Sequence, residues 1–247
     1  MKRIERHKLK ENEFAESVAK ARAAIAERQR QVTTLVVAIV AVVLIVGGFF
    51  AWRTSRNSRA TDLLAGALAV AEAPVVTPPP PAPGSPPPVQ QPGTYRTETD
   101  RANAALPKLM EAADRYPTTD AGLTARYRAA GILATLGRYA EAEQRYQEVV
   151  AKAGSNSIYG RAARLGLGNA QLAQGKNDAA VDTFRALSTD SDSQLPLDGV
   201  LMQLGRACMQ AGKRDDATRA FTRVVDEFPQ SLYASEAKEK LLTLKKA

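Results

Sequence analysis

The sequence predicts an all-α fold, a stack of paired helices preceded by a single transmembrane helix. Three observations predict it. Gly137, Gly175 and Gly212 recur at spacings of 38 and 37 residues, each followed five residues later by alanine (Ala142, Ala180, Ala217) and four after that by an aromatic (Tyr146, Phe184, Phe221). A period of this length marks supersecondary units that bury their apolar faces only by stacking into a solenoid. Upstream, 21 residues from Val32 to Trp52 carry no charge. Between the two lies a stretch, Pro74 to Pro92, that holds ten of the fourteen prolines.

Residues 1–31 form a basic tail with nine Lys or Arg and five Glu. Phe14, Val18, Ala21 and Ile25 fall on one helical face, and Glu16 can pair with Lys20. The tail is either solvated or laid on anionic lipid through its basic face. Residues 32–52 are long enough to cross a membrane: at about 1.5 Å per residue they reach ~32 Å, against a hydrocarbon core of ~30 Å. Trp52 and Arg53 mark the far interface. The tail is too long for a cleaved signal peptide, and no small-x-small site follows directly, so the run reads as a retained anchor. Gly47 and Ala51 have small-xxx-small spacing, but a lone pair reads as ordinary small residues of an anchor. Within fifteen residues of the run, four basic residues precede it and three follow. The whole tail tips the balance towards an N-terminus in the cytoplasm and repeats outside it.

Residues 53–73 continue as a juxtamembrane helix with Leu64, Leu68 and Ala71 on one side. Residues 74–96 are Pro-rich, and Pro78–Pro81 and Pro86–Pro88 favour polyproline conformation. Either they are a plain spacer, in which the 19 residues from Pro74 to Pro92 reach ~59 Å when extended at about 3.1 Å per residue, or they are a loop inserted between the first helix (56–73) and second helix (97–116) of a degenerate opening repeat. An SH3-type ligand is the less economical reading.

Residues 97–247 form the repeat domain. In the third copy Leu201, Leu204-Gly205 and Cys208 lie along one helix, Gly212 breaks it, Ala217 and Phe221 lie along the next, and Pro229 closes the unit. The second copy keeps Leu167-Gly168, Gly175, Ala180 and Phe184; the first has Ala129-Ala130 in place of Leu-Gly. A half-copy precedes it at Ala105, Leu109, Ala112 and Pro117. This resembles the tetratricopeptide pattern, in which W-x2-L-G-x2-Y leads to A-x3-F and then P. The small residues allow close helix approach. The aromatics fill space between units, and the three glycines suit a positive-φ stop. Ser157-Ile158-Tyr159-Gly160-x-x-Ala163 matches Ser231-Leu232-Tyr233-Ala234-x-x-Ala237, with Thr119 opening a looser copy; Ser157, Ser231 and Thr119 are expected N-caps. A closing helix runs from Ser231 to Lys245.

The formal charge of +8 comes mostly from the membrane-proximal end, because the chain from Pro74 onward has 22 basic and 19 acidic residues. With no basic stripe and interleaved aromatics, nucleic acid is not an expected partner. His7 is the only histidine and Cys208 the only cysteine. Cys208 sits at an apolar helix position and reads as a small core residue. Asp190 and Asp192 read as a polar turn, since the loop lacks further calcium ligands. No zinc set, phosphate-binding glycine loop or G-x-S-x-G elbow is present. No catalytic residue, metal, cofactor or small-molecule substrate is expected, and the chain does not read as an enzyme.

Anchor, short tail and C-terminal repeats together resemble bacterial single-pass inner-membrane tetratricopeptide proteins, above all the ancillary subunit of the SecYEG translocon. The repeat boundaries are similar to those of the Tol-Pal cell-division coordinator and the outer-membrane assembly lipoprotein. The resemblance implies a scaffold in the bacterial cell envelope. It would hold one or more protein partners in or near the inner membrane, with its repeats in the periplasm, and assist translocation or envelope assembly. The alternative is a bitopic sensing or assembly protein whose cytoplasmic tail is the effector. In such stacks the first helix of each unit lines the concave face. Counting from residues 123, 161 and 198, the fifth, ninth and twelfth places select Tyr127, Leu165, Asn169, Leu172, Met202, Arg206 and Met209. That mixture suits an amphipathic or extended apolar segment of a partner. It lacks the several basic residues of a carboxylate clamp.

Overall fold

A computed structural model describes residues 17–23, 29–78, 89–154, 157–190 and 195–246. Residues 17–23 are helical (α1). Phe14, Ile25, His7 and Asp192 lie outside the described residues. Helix α2, Gln29–Ala71, runs without interruption through the apolar run and the expected juxtamembrane helix. From Val32 to Trp52 its side chains are exposed all round. It is long and apolar enough to cross a membrane by length and composition.

The chain forms two compact units, Met1–Ser55 and Arg56–Ala247. The repeat unit thus begins at Arg56, where the sequence placed its start at residue 97. The physical reason is the apolar stripe on the last turns of α2. Ala60 and Ala67 are buried, and Leu63, Leu64 and Leu68 pack on the cluster that contains Leu106 and Leu109. Residues 56–71 are therefore the first helix of an opening pair. The second is α3, Glu98–Arg115, N-capped by Thr97, whose hydroxyl accepts from Asp100 N. Pro107 lies inside this helix. The ends of the Pro-rich stretch are clasped together: Val76 N donates to Tyr95 O (2.8 Å) and Tyr95 N to Pro74 O (3.0 Å). Ends held this close favour the inserted loop between α2 and α3 over the extended spacer.

Three further pairs follow: α4 (Asp120–Thr135) with α5 (Tyr139–Ala153), α6 (Ile158–Ala173) with α7 (Asn177–Ser188), and α8 (Leu197–Gln210) with α9 (Arg214–Glu227). Helix α10, Ala234–Lys246, closes the stack. From α3 onward each helix packs on the next, and α4 touches α6 as α6 touches α8. That alternation is the solenoid. Helix α10 turns Ala237, Leu241 and Leu244 inward and leaves Lys238, Glu239 and Lys245 outside, the polar outer face a terminal unit needs.

Turn chemistry explains the boundaries. Gly137, Gly175 and Gly212 have φ of 73°, 73° and 72°, left-handed values that end α4, α6 and α8 at little cost only in glycine. Thr119 and Ser157 cap α4 and α6, accepting from Gly122 N (3.1 Å) and Gly160 N (2.9 Å). Ser231 behaves differently. Its hydroxyl donates to Asp198 Oδ2 (2.6 Å) and accepts from Tyr233 N (3.1 Å), and the helix starts later, at Ala234.

The small residues work within each pair. A Cβ on Gly168 would sit 2.7 Å from the Phe184 ring, and one on Gly205 would collide with Phe221. Phe184 and Phe221, both 0% exposed, therefore fill the space between the two helices of their own unit. This differs from the expected place between units. Tyr146 reaches forward, against Gly166 of the next unit.

Candidate protein-binding face

The contacts of α4 with α6 and of α6 with α8 define one face of the stack. The sequence-selected residues lie on those three helices, but the structure treats them unequally. Met202 is fully buried in the cluster containing Phe221 and Ala237. It is not a surface residue, which corrects the expectation. The fifth place of each unit points partly into the neighbouring helix, and the pliable methionine fills that gap completely. Its counterparts Tyr127 and Leu165 are half-buried, Tyr127 packing on the first cluster and Leu165 on the second. Leu172 and Met209 are also half-buried against the second cluster. Asn169 is exposed.

Arg206 is partly accessible but engaged. Its Nη2 donates to both carboxylate oxygens of Glu236 at 2.7 Å each. Asn169 makes no such contact among the described residues.

The sequence missed the aromatic group that organises this face. Tyr127 stacks edge-on with Tyr146 (6.0 Å between ring centres) and with Tyr159 (6.4 Å). Such pairs contribute about 0.5–1.5 kcal/mol beyond area burial. The hydroxyl of Thr124 donates to Tyr159 Oη (3.1 Å). Burial pushes the Tyr146 phenol up to about 12, with Tyr127 adding to it, so the group stays neutral in the physiological range. The Ser-x-Tyr motif was the available signal. Its tyrosine packs back on the preceding unit: Tyr159 on Tyr127, and Tyr233 beside Gly199, where an added Cβ would lie 3.5 Å away.

Two ionic devices tie units together. Arg126, buried, lies 3.2 Å from Asp114 Oδ1 and 3.0 Å from Glu148 Oε2, and donates to Ala113 O (3.0 Å). It thereby joins α3, α4 and α5. Glu143 accepts from Lys176 Nζ (2.7 Å) and Gln174 Nε2 (2.8 Å), joining α5 to the turn after α6. Burial pushes the Glu143 carboxyl up, but the hydrogen bonds from Lys176, Gln174 and Gln171 and the Lys176 charge outweigh it and hold it below the usual carboxylate range. Cys208 is buried, and burial raises its thiol further from ionisation, with Asp216 adding to the effect.

The tetratricopeptide repeat family model matches residues 162–191 and 200–231, the α6–α7 and α8–α9 pairs. Among curated proteins none matches. Among solved structures the chain is similar to a Podosopora anserina protein described as a kinesin light chain with nearly identical TPR-like repeats. The TM-score is 0.52 at 17% identity, over 59% of this chain and 78% of that one; a single-substitution form of the same protein gives 0.52 at 18%. MamA of Desulfovibrio magneticus RS-1, from residue 41 to its end, aligns at 20% identity with a TM-score of 0.46, over 59% and 86% of the two chains. The family model and the Podosopora anserina structures identify the fold of the repeat unit as an all-α, tetratricopeptide-like solenoid.

Proposed function

We propose that this chain is a single-pass membrane scaffold whose solenoid holds a protein partner close to the bilayer. The observation that carries the reading is the continuity of α2. The same helix supplies the 21-residue uncharged run and the first buried stripe of the solenoid. Tetratricopeptide-like stacks supply a protein-binding face, and here it is lined by α4, α6 and α8. Tyr127, Leu165, Asn169, Leu172 and Met209 offer apolar and amide contacts to an extended or amphipathic segment, with Arg206 at the α10 end.

The basic tail supports a cytoplasmic N-terminus and repeats on the other side of the membrane. The resemblance to the translocon's ancillary subunit supports the bacterial inner membrane and a task in protein translocation or envelope assembly. Protease added to intact spheroplasts should degrade the repeats; protection until lysis reverses the orientation. Crosslinking in native membranes should capture a protein partner. Capture should fall when Tyr127→Ala and Asn169→Ala are combined, while helicity is kept. Undiminished capture by that double variant moves the binding surface off this face.

A further inference from the structure

The turns that lead from one pair into the next lie on one edge of the stack, and residue Arg56 marks where that edge stands along the chain. Arg56 Nη2 donates to Thr118 Oγ1 across 3.4 Å, so the start of the repeat unit meets the α3–α4 turn. Arg56 is four residues beyond Trp52, the end of the uncharged run. Even a fully extended chain of that length spans no more than about 14 Å. The α3–α4 turn thus contacts the residue that stands four places after the apolar run in the chain.

Beside that turn is a cavity of about 410 Å³ lined by residues 117–120, Leu123, Lys152, Ala153, Ser157 and Tyr159, within the range of small-ligand sites. Its chemistry is amphipathic and doubly charged. Leu123, Ala153 and Tyr159 give the apolar surface. Lys152 and Asp120 bring opposite charges, and neither makes an ion pair among the described residues. The hydroxyls of Thr119 and Ser157 are spent on their caps, each accepting from a backbone N–H and donating to a backbone carbonyl. Ile158, between two lining residues, is 62% exposed. Two other cavities of the repeat unit are also lined by charged groups, but those groups are engaged in ion pairs. Arg138 pairs with Glu141 in one, and its Arg145 reaches Glu148 outside the lining; Arg185 and Arg219 pair with Asp216 in the other, and its Arg223 reaches Glu227 outside the lining.

We infer that this cavity binds the headgroup of a zwitterionic phospholipid bearing a primary ammonium, a reading that rests on the membrane anchor proposed above. Lys152 takes the phosphate as a point charge. Asp120 takes the ammonium, whose N–H groups make charge-assisted hydrogen bonds to a carboxylate. Ile158 meets the glycerol and upper acyl region. A protein segment carrying both charges is the competing occupant, but the contact with Arg56, four residues past the apolar run, favours lipid.

The test uses full-length protein reconstituted in vesicles of equal phosphatidylethanolamine, phosphatidylglycerol and phosphatidylcholine, with retained lipid read by native mass spectrometry. Wild type should retain phosphatidylethanolamine over the other two by about tenfold or more, the size of one charged hydrogen bond. Asp120→Asn should erase that preference, and Lys152→Gln should lower retention of all three lipids. Lys108→Gln, an exposed change on α3, should alter neither. Equal retention of the three lipids by wild type, or unchanged retention in both cavity variants, overturns the proposal. Loss of partner crosslinks in those variants with lipid retention intact assigns the cavity to protein instead. Alkaline extraction separates the two failures. Release of the protein from membranes sinks the anchor reading and the cavity with it, whereas an integral protein with no selective lipid sinks the cavity alone.

Discussion

Around Tyr146 the core is built from small residues; around Phe184 and Phe221 it is built from large ones. The first cluster holds nine alanines with Leu106, Leu109, Leu133, Val149 and Tyr146. The second replaces most of those alanines with Phe, Val, Leu, Met and Cys. The first half also places an arginine, Arg126, at 3% exposure among three helices, while the buried side chains of α8 are all apolar. The halves share a backbone plan but not a cohesive device. In the second, an aromatic ring closes on a glycine of its partner helix. In the first, close alanine packing and an ion-pair hub serve, and α2 adds a further helix. The family model matches only in the second half, where the residue pattern and the packing coincide.

The largest way to break the first half is to remove its outer helix. A chain beginning at residue 97 should uncover Leu106 and Leu109, at about 1.5–3 kcal/mol for each leucine that loses its cover. A chain beginning at Arg56 should keep them covered. Circular dichroism melts should show one cooperative transition for the longer piece and an early, broad loss of helix for the shorter. Matching melts would remove residues 56–71 from the fold.

The second half has its own weak point in Phe221. Phe221→Ala leaves a cavity against Gly205 and should cost about 3–5 kcal/mol. Because stacked units depend on neighbour interfaces, α8 to α10 should lose hydrogen-exchange protection before α4 to α6. Uniform loss across both halves would show a single cooperative block.

Much of this plan is legible in the sequence, and the gaps have physical reasons. Gly137, Gly175 and Gly212 are readable because a positive φ selects one residue type. Thr119 and Ser157 are readable because capping is local. Met202 is not, since helical period gives the face of a residue but not whether the following helix covers it. Arg126 is not, because its partners Asp114 and Glu148 stand 12 and 22 residues away in sequence. Proline reads as a helix end, yet Pro107 sits within α3. Asp120 and Lys152 come to line one cavity only because α5 folds back along α4, which no local pattern encodes.

Arg126 gives the next smaller effect and tests whether the first half needs its ions. Arg126→Ala removes charged hydrogen bonds from Ala113 O and Asp114 and the ion pair with Glu148, and should cost about 1.5–3 kcal/mol. The two carboxylates remain partly in water, at 55% and 30% side-chain exposure, so the full penalty of an abandoned buried charge does not apply. Arg126→Met keeps volume without charge. Replacing a buried ion by a packed apolar chain is often close to neutral, so the methionine variant should recover most of the loss in a urea titration. If Met is as damaging as Ala, the hub is held by its hydrogen bonds and not by packing.

The smallest expected effect separates the junction between the halves from both cores. Glu143 ties α5 to Lys176 and Gln174, and its carboxyl is held below the usual carboxylate range against the opposing pull of burial. A depressed acid binds fewer protons when folded than when unfolded. Its contribution is therefore present above the ordinary carboxylate range and is lost as pH falls through that range towards the lower folded value. Lys176 is half-exposed, so the pair is screened, and the contribution should be no more than about 1 kcal/mol. Glu143→Gln keeps the shape and removes the titration. Wild type should therefore melt higher than the variant at neutral pH, and the gap should close as the solution is acidified through the carboxylate range. The closing should weaken in high salt, which screens this half-exposed pair but leaves the Phe221 and Arg126→Met comparisons almost untouched. A gap that stays constant down to strong acid would mean that Glu143 acts through packing alone, and that the two halves are joined by contact between α5 and α6 without help from charge.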